Sequence, residues 1–333
     1  MGAFKKKKLF QHRFYLFLVL LIVSLAIGMK NPVFFSLSNM YDILKSSVVM
    51  GLFALGVLIV IISGGIDISF TAIAACSMYI TCKLLLASAV TDSLLAAFML
   101  AGLTGLLLGI FNALFISSFN LPALIVTLGT AGIFRGFMLA FIGTTIVNNL
   151  PESLVRFSKL ALFEQTLADG EKIGLSFSII ILLLFFLFCW ILLRYTILGR
   201  GIYAMGGDPV AARRAGFNLT VLRYFIYGFA GFISGLAGII YASMMRNANP
   251  FDLVGTELVV IAAVVLGGAS ITGGKGTVTG TLLGVLLLVI INNSLIMLNI
   301  PSYWQKVAIG LIILAGTAAT VRRKVTERQG KLV

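Results

Sequence analysis

Few residues of this 333-residue chain are of a type that does chemistry, and they stand where ionisable groups are costly. Asp67 lies in Ser63-Gly64-Gly65-Ile66-Asp67-Ile68-Ser69, between two oily runs. A charge inside an apolar stretch is expensive and by default marks a functional position. Gly64 and Gly65 let a helix break there, and bare backbone at membrane depth is tolerated only beside protein or a water-filled cavity. Asp67 has two compatible uses: capping the next helix by accepting amide hydrogen bonds, or lining a pathway. Arg135, in Gly132-Ile133-Phe134-Arg135-Gly136, also falls inside an apolar run. It is expected to pair with a carboxylate such as Asp67 or Glu257, or to snorkel to the interface.

Enzymatic chemistry finds no residues to support it. No Ser/His/Asp set or carboxylate pair occurs, and the lone histidine, His12, stands in the basic start of the chain. Three cysteines (Cys76, Cys82, Cys189) within apolar runs give neither a disulfide framework nor, with one histidine, a metal cluster. Residues 266–276, LGGASITGGKG, approach a phosphate-binding loop. Ala269 holds its first glycine position, Gly276 follows Lys275, and no strand precedes it, so the motif's context is missing. The expectation is no catalytic residue, no metal and no cofactor in this chain. Gly267 and Gly268 read instead as a second glycine-rich break between helices.

The elements that must hold these residues follow from composition. Sixty per cent of the residues are hydrophobic, 11% are charged and mean hydropathy is +1.10. A soluble domain carries about a quarter charged residues, so the chain lacks the polar surface to dissolve in water. A spanning helix needs about 20 apolar residues. Such runs fall near 14–29, 44–63, 68–88, 93–117, 122–143, 176–193, 223–245, 257–272, 277–298 and 302–320. The fold expected is all-α: a polytopic membrane bundle of about ten helices. The weakest spans are 68–88, which holds Lys83, and 257–272, which is short and rich in glycine; either is expected to be broken or re-entrant.

Gly228, Gly231, Gly235 and Gly238 form one smooth stripe, as do Gly102, Gly105 and Gly109. Such stripes allow close helix approach in lipid. A short echo, TGLLLG at 104–109 and TGTLLG at 279–284, lies on helices pointing in opposite directions, which fits a possible inverted repeat.

Charge placement orients the bundle. Of the net +14, residues 1–13 carry +5, residues 194–223 carry +4 and residues 322–333 carry +4. Each segment lies outside the apolar runs, so the positive-inside rule puts both termini and the 194–223 loop in the cytoplasm. A nucleic-acid face would gather the charges on one surface with stacking aromatics, so that reading is set aside. The KKKK start imitates a signal peptide, but with so many apolar runs following it reads as an uncleaved first helix. The division is thus a basic tail (1–13), one transmembrane domain (14–320) and a second basic tail (321–333). Residues 144–175 fall outside the membrane.

Within the cytoplasmic loop, GRGIYAMGGDPVAARRAGFN (199–218) holds a short capped helix. Asp208 suits its N-cap, Pro209 its first position and Gly216 its C-terminal stop. Two turns, about 10 Å, carry Ala211, Ala212 and Ala215 beside Arg213 and Arg214. The alanines are expected to keep one side slim enough to enter another protein's cleft, with the arginines reaching its rim. A merely topogenic basic loop would need less.

Taken together, these stretches resemble the permease subunits of carbohydrate ABC importers, the class serving ribose, xylose, galactosides and autoinducer-2. The resemblance runs through SGGIDIS (63–69), NLPALIVTLGT with GIFRG (120–136), GGDPVAARRAGF (206–217), FAGFISGLAGIIY (229–241) and IAAVVLGGASITGGKGTVTGTLLG (261–284). It implies a multi-pass protein of the bacterial cytoplasmic (inner) membrane and a second permease chain, as homo- or heterodimer. It also implies ATP bound by cytoplasmic ATPase subunits and an extracytoplasmic solute-binding protein. The coupling element on the ATPase would be Gly206, Gly207, Asp208, Pro209, Ala211, Ala212, Arg213, Arg214 and Gly216. The pathway set expected is Gly64, Gly65, Asp67, Ser69, Asn112, Pro122, Thr127, Arg135, Gly267 and Gly268. Family members often have glycine at the position of Thr71, which leaves the backbone shape there open. Alternatives are a nucleoside or branched-chain amino-acid permease of the same superfamily, or a self-contained secondary transporter. A proton-coupled transporter usually needs several intramembrane carboxylates, and here only Asp67 and Glu257 are on offer. A cysteine placed at Gly170 is expected to react with impermeant reagents only from outside; labelling from the cytoplasmic side alone would reverse this topology.

Overall fold

The computed structural model describes residues 2–87, 92–166, 172–311 and 314. Its elements run α1 (Gly2–Lys30), α2 (Leu37–Ile62), α3 (Phe70–Ala87), α4 (Leu94–Ser118), α5 (Ala123–Phe137) and α6 (Glu152–Lys159). Next come strands β1 (Ala161–Thr166) and β2 (Lys172–Ser176), then α7 (Ser178–Tyr195), α8 (Ile197–Gly207) and α9 (Pro209–Arg214). The series closes with α10 (Leu219–Met245), α11 (Glu257–Leu266) and α12 (Val278–Met297). The all-α membrane bundle expected from composition is what forms. Among the described residues, 7 helices are long and apolar enough to cross a membrane, and two shorter apolar helices are Phe14–Lys30 and Glu257–Leu266. Residues 302–311 are helical, while 312–313 and 315–320 of the last expected span and the whole 321–333 tail lie outside the described residues.

Of the two weakest spans, 257–272 breaks as expected: α11 has 10 residues, about 15 Å, and then gives way to a glycine-rich loop. The other is corrected, since α3 runs unbroken over 18 residues. The 144–175 connection is folded. There α6 buries Leu154 and Phe157, and β1 pairs antiparallel with β2, Glu164 opposite Gly174. The Ser243 hydroxyl donates to Leu154 O at 2.6 Å, and Val147 bridges Ala248. These contacts tie the segment to the end of α10.

The hub is α10, against which α2, α3 and α4 pack. Its glycines are contact points. A Cβ built on Gly231 would stand 2.2 Å from Gly105 O, on Gly235 2.0 Å from Ala101 O, and on Gly238 2.3 Å from Ala74 O. The sequence echo has the same use at both sites. Gly105 and Gly109 lie on α10 backbone, while Gly284 lies on the Ala263 carbonyl of α11 and Gly280 on that of Gly267, just after it. Because α4 and α12 both run antiparallel to these partners, and α2 is antiparallel to α10 and α12 alike, α4 and α12 point oppositely, as expected.

Gly231→Leu is expected to cost on the order of 1–3 kcal/mol or more through overpacking, seen as a lower thermal midpoint of the detergent-solubilised protein. Gly129→Ala, where nothing lies within 4 Å of the added carbon, should leave that midpoint unchanged.

Candidate functional site

The site begins where α2 stops. Gly64 takes φ +89°; its N–H donates to Ile61 O at 3.0 Å, and the Gly65 N–H to Val60 O at 3.1 Å. This left-handed glycine cap turns the chain back. Residues 65–69 then run non-helically alongside α2, and the Phe70 ring lies 5.1 Å from that of Phe53. Phe53 is nine residues before the end of α2, about 14 Å up the helix. The start of α3 therefore sits inside the bundle, and Asp67 is buried with it.

Such backbone needs partners, and polar side chains from the segment itself and from two helices supply them. Asp67 Oδ1 accepts from the Ser69 N–H at 2.7 Å and the Ser69 hydroxyl at 2.6 Å. Ser69 Oγ in turn accepts from Asn112 Nδ2 of α4 at 2.7 Å. Thr127 of α5 accepts from the Ile68 N–H at 3.3 Å and donates to Ile66 O at 3.2 Å. Thus Asp67 does cap the α3 terminus, and Ser69, Asn112 and Thr127 join it in one buried network. Pro122 stands at the N-cap of α5, its carbonyl accepting from Ile125 and Val126. Gly65 is enclosed: a Cβ there would lie 2.4 Å from the Tyr227 hydroxyl and 3.4 Å from Ala123 Cβ.

Arg135 joins a different cluster. Its Nη2 pairs with Glu257 Oε1 at 3.2 Å, not with Asp67. Thr71 completes the cluster, donating to the same Glu257 oxygen at 2.5 Å. Where the resemblance leaves the backbone open, Thr71 is an ordinary helical residue of α3.

The second break repeats the first device. The Gly268 N–H donates to Val265 O and the Ala269 N–H to Val264 O, with Gly268 at φ +94°. Gly267 lies against α12: its Cβ would stand 2.5 Å from Gly280 O. The loop that follows returns to the end of α2, where the Gly274 N–H donates to Ile62 O at 2.8 Å. Gly206 of α8 is lodged there too, with no room for a side chain: a Cβ would meet Ile62 O at 1.8 Å and Gly274 N at 2.7 Å. So the end of α8, one residue before the α9 cap, touches both breaks. Gly207 is open, with nothing within 4 Å of an added Cβ.

The α9 capping is as expected. Asp208 Oδ1 accepts from Val210 N and Ala211 N at 2.9 and 3.1 Å, Pro209 opens the helix, and Gly216 takes φ +88°. One residue is misplaced by the sequence reading. Ala212 is 2% exposed and packs into the bundle's own core with Leu219 and Leu222. The helix holds itself to the bundle by that face, so the slim exposed side carries Val210, Ala211 and Ala215 beside Arg213 and Arg214.

Sequence reasoning also missed Gly273, Gly274 and Tyr227. GGKG reads as a failed phosphate loop and part of a glycine-rich break, with no contact to α2 or α8 foreseen, and nothing local marks a tyrosine in an oily helix as a neighbour of Gly65.

A family model described as the permease component of the branched-chain amino acid transport system matches residues 39–316. The chain belongs to this permease family. It is similar to the ribose import permease proteins of Haemophilus influenzae, 33% identical over 91% of both chains, and of Bacillus subtilis, 35% identical over 90% of this chain and 89% of that one. It is also similar to an autoinducer 2 import system permease of Yersinia pestis, 32% identical over 89% of this chain and 81% of the relative. No solved structure matches. The permease is accordingly a transport component and a multi-pass protein of the cytoplasmic (inner) membrane, and the resemblance read from its motifs holds.

Asp67→Ala is expected to leave the Ser69 donors unpaired, costing about 1–3 kcal/mol, with import lost. Asp67→Asn, which keeps an acceptor there, should unfold at a midpoint between those of Asp67→Ala and the wild type.

Proposed function

We propose that the permease carries a neutral sugar of pentose or hexose size, driven by ATP hydrolysis on a separate cytoplasmic subunit seated on α9. The chain itself supplies no nucleotide site, and its partners are that ATPase, an extracytoplasmic solute-binding protein and a second permease chain. The observation that carries this is the lodging of Gly206 against Ile62 O and Gly274 N. It gives a push on α9 a rigid route to the two helix ends where the chain breaks. Gly64, Gly65, Asp67, Ser69, Asn112, Pro122, Thr127, Arg135, Gly267 and Gly268 are the residues assigned to the pathway. Asp67 serves there as the buried anchor of the broken segment.

The solute class rests on the names of similar proteins, which act on ribose and autoinducer 2. The family description speaks for a second reading, branched-chain amino acids. Uptake into vesicles holding the complete complex separates the two: D-ribose, D-xylose or D-galactose should be imported, and import of leucine alone would replace the sugar reading.

The seat on the ATPase has its own test. Arg213→Glu with Arg214→Glu, and separately Ala211→Trp, should each reduce ATPase co-purification several-fold while the permease still inserts. The charge-reversal loss should be steepest at low salt, where rim charges count most. Ala212→Trp should instead destabilise the permease itself, because that side chain faces inward. Full ATPase recovery in the first two variants would leave α9 a topological anchor.

A further inference from the structure

The Thr71–Glu257–Arg135 cluster plays no part in supporting the 63–69 segment or in the α9 route. Its depth follows from helix spacing. The Tyr79 hydroxyl donates to Thr145 O at 2.8 Å, which aligns α3 with the end of the α5 segment near Gly143. Thr71 is eight residues before Tyr79, and Arg135 eight before Gly143, so both lie about 12 Å inside that end. Arg135 is also twelve residues from the other end of α5, about 18 Å. The cluster is therefore midway across the bundle.

It is not sealed: the Arg135 side chain is 30% exposed and that of Glu257 12%. Beside it the α5 backbone is bare, since Cβ atoms on Gly129, Gly132 and Gly136 would meet nothing within 4 Å. An arginine open to acyl chains at this depth costs about 2.5–3.5 kcal/mol, whereas one facing a hydrated pathway does not. Hydrogen-bonding capacity is left over as well. Among the described residues Arg135 donates only through Nη2, and Glu257 is bonded only through Oε1. A spare carboxylate oxygen accepts a hydroxyl proton, and a spare guanidinium N–H donates to a hydroxyl or ring oxygen. Neighbouring hydroxyls of a sugar offer both partners at once.

We propose that Arg135 and Glu257 form a contact point for the hydroxyls of the solute halfway along the pathway, with Thr71 as the residue that positions the Glu257 carboxylate. This rests on the sugar-permease reading and gives it a site. Arg135 keeps Glu257 as partner and Glu257 keeps both Thr71 and Arg135, so passage of the solute exchanges hydrogen bonds without leaving a charge bare.

The test uses the permease with its own ATPase and binding protein in proteoliposomes, and as probe whichever of D-ribose, D-xylose and D-galactose the wild type imports. Glu257→Gln should lower import about tenfold, the ratio carried by 1.4 kcal/mol, while binding-protein-stimulated ATP hydrolysis stays near wild type. Thr71→Val should lower import partway, and Thr71→Ser should restore it. Arg135→Cys should react with a charged, membrane-impermeant thiol reagent, more slowly when the probe sugar is present. The native cysteines are buried and should give little background. Hydrolysis falling in step with import in Glu257→Gln, or an inert cysteine at 135, would make the cluster a tie between helices and overturn the inference. If Glu257→Gln fails to assemble, the labelling result decides alone. An inert cysteine together with lost import in Asp67→Ala discards only the contact point and leaves the permease reading standing. Import of none of the three sugars sinks the sugar reading and this inference with it.

Discussion

The backbone of residues 65–69 leaves helical geometry inside an apolar bundle, and the rest of the architecture answers to that. In water each freed N–H and C=O would find a solvent partner; at this depth each must find one in the protein. Asp67, Ser69, Asn112 and Thr127 come from one loop and two helices, and their hydrogen bonds converge on residues 66–69. That network fixes where α3 begins. It also sets how α4 and α5 stand against α3, because Asn112 and Thr127 reach it only from one rotation of their helices. The carboxylate at the centre is thus structural in its bonds: it holds a buried, non-helical stretch of backbone inside a membrane protein.

A second constraint sets the distances between helices. Lipid gives helices no hydrophobic reason to associate, so contact area and close backbone approach must do the work. On α10 this is done by Gly231, Gly235 and Gly238, each pressed on a carbonyl of α4 or α3, and on α12 by Gly280 and Gly284. Where such glycines have no neighbour, as at Gly129, Gly132 and Gly136 of α5, the same residue type leaves a helix bare. The contrast separates helices that brace the bundle from the one that flanks its open side.

Much of this was legible in the sequence, for identifiable reasons. The 3.6-residue stripe of glycines in α10, the Asp-Pro…Gly punctuation of α9 and the apolar run lengths are local signals, and each produced its element. Asp67 as a cap was legible because only the following N–H groups lie within reach of its short side chain. What was hidden depended on contacts between distant segments. The partner of Arg135 is 122 residues away, and nothing in the spacing favours Glu257 over Asp67. The inward face of Ala212 depends on how α9 leans on the start of α10, while six residues show no face of their own. Strands of five and six residues in the 144–175 segment carry too little alternation to stand out beside the spans.

The crowding at Ile62, Gly206 and Gly274 is what would let the proposed coupling element act directly on both breaks. A flexible side chain at 206 could absorb a displacement of α9 by changing rotamer, and the motion would end there. With no side chain, the α8 backbone bears directly on the Ile62 carbonyl that also receives the Gly274 N–H. Backbone against backbone has no soft degree of freedom except the dihedrals themselves, and those are free where the glycines stand: Gly64, Gly273 and Gly274 all have positive φ. Rigid contact between segments and compliance within each turn are therefore placed side by side. Under the proposed coupling, a shift entering through α9 would be passed on at Gly206 and taken up at Gly64 and Gly273, in the segments that precede α3 and α12. The same reasoning separates the two glycine roles. A Cβ at 206 would force the contact apart, while one at 64 would stiffen the hinge and leave the contact in place.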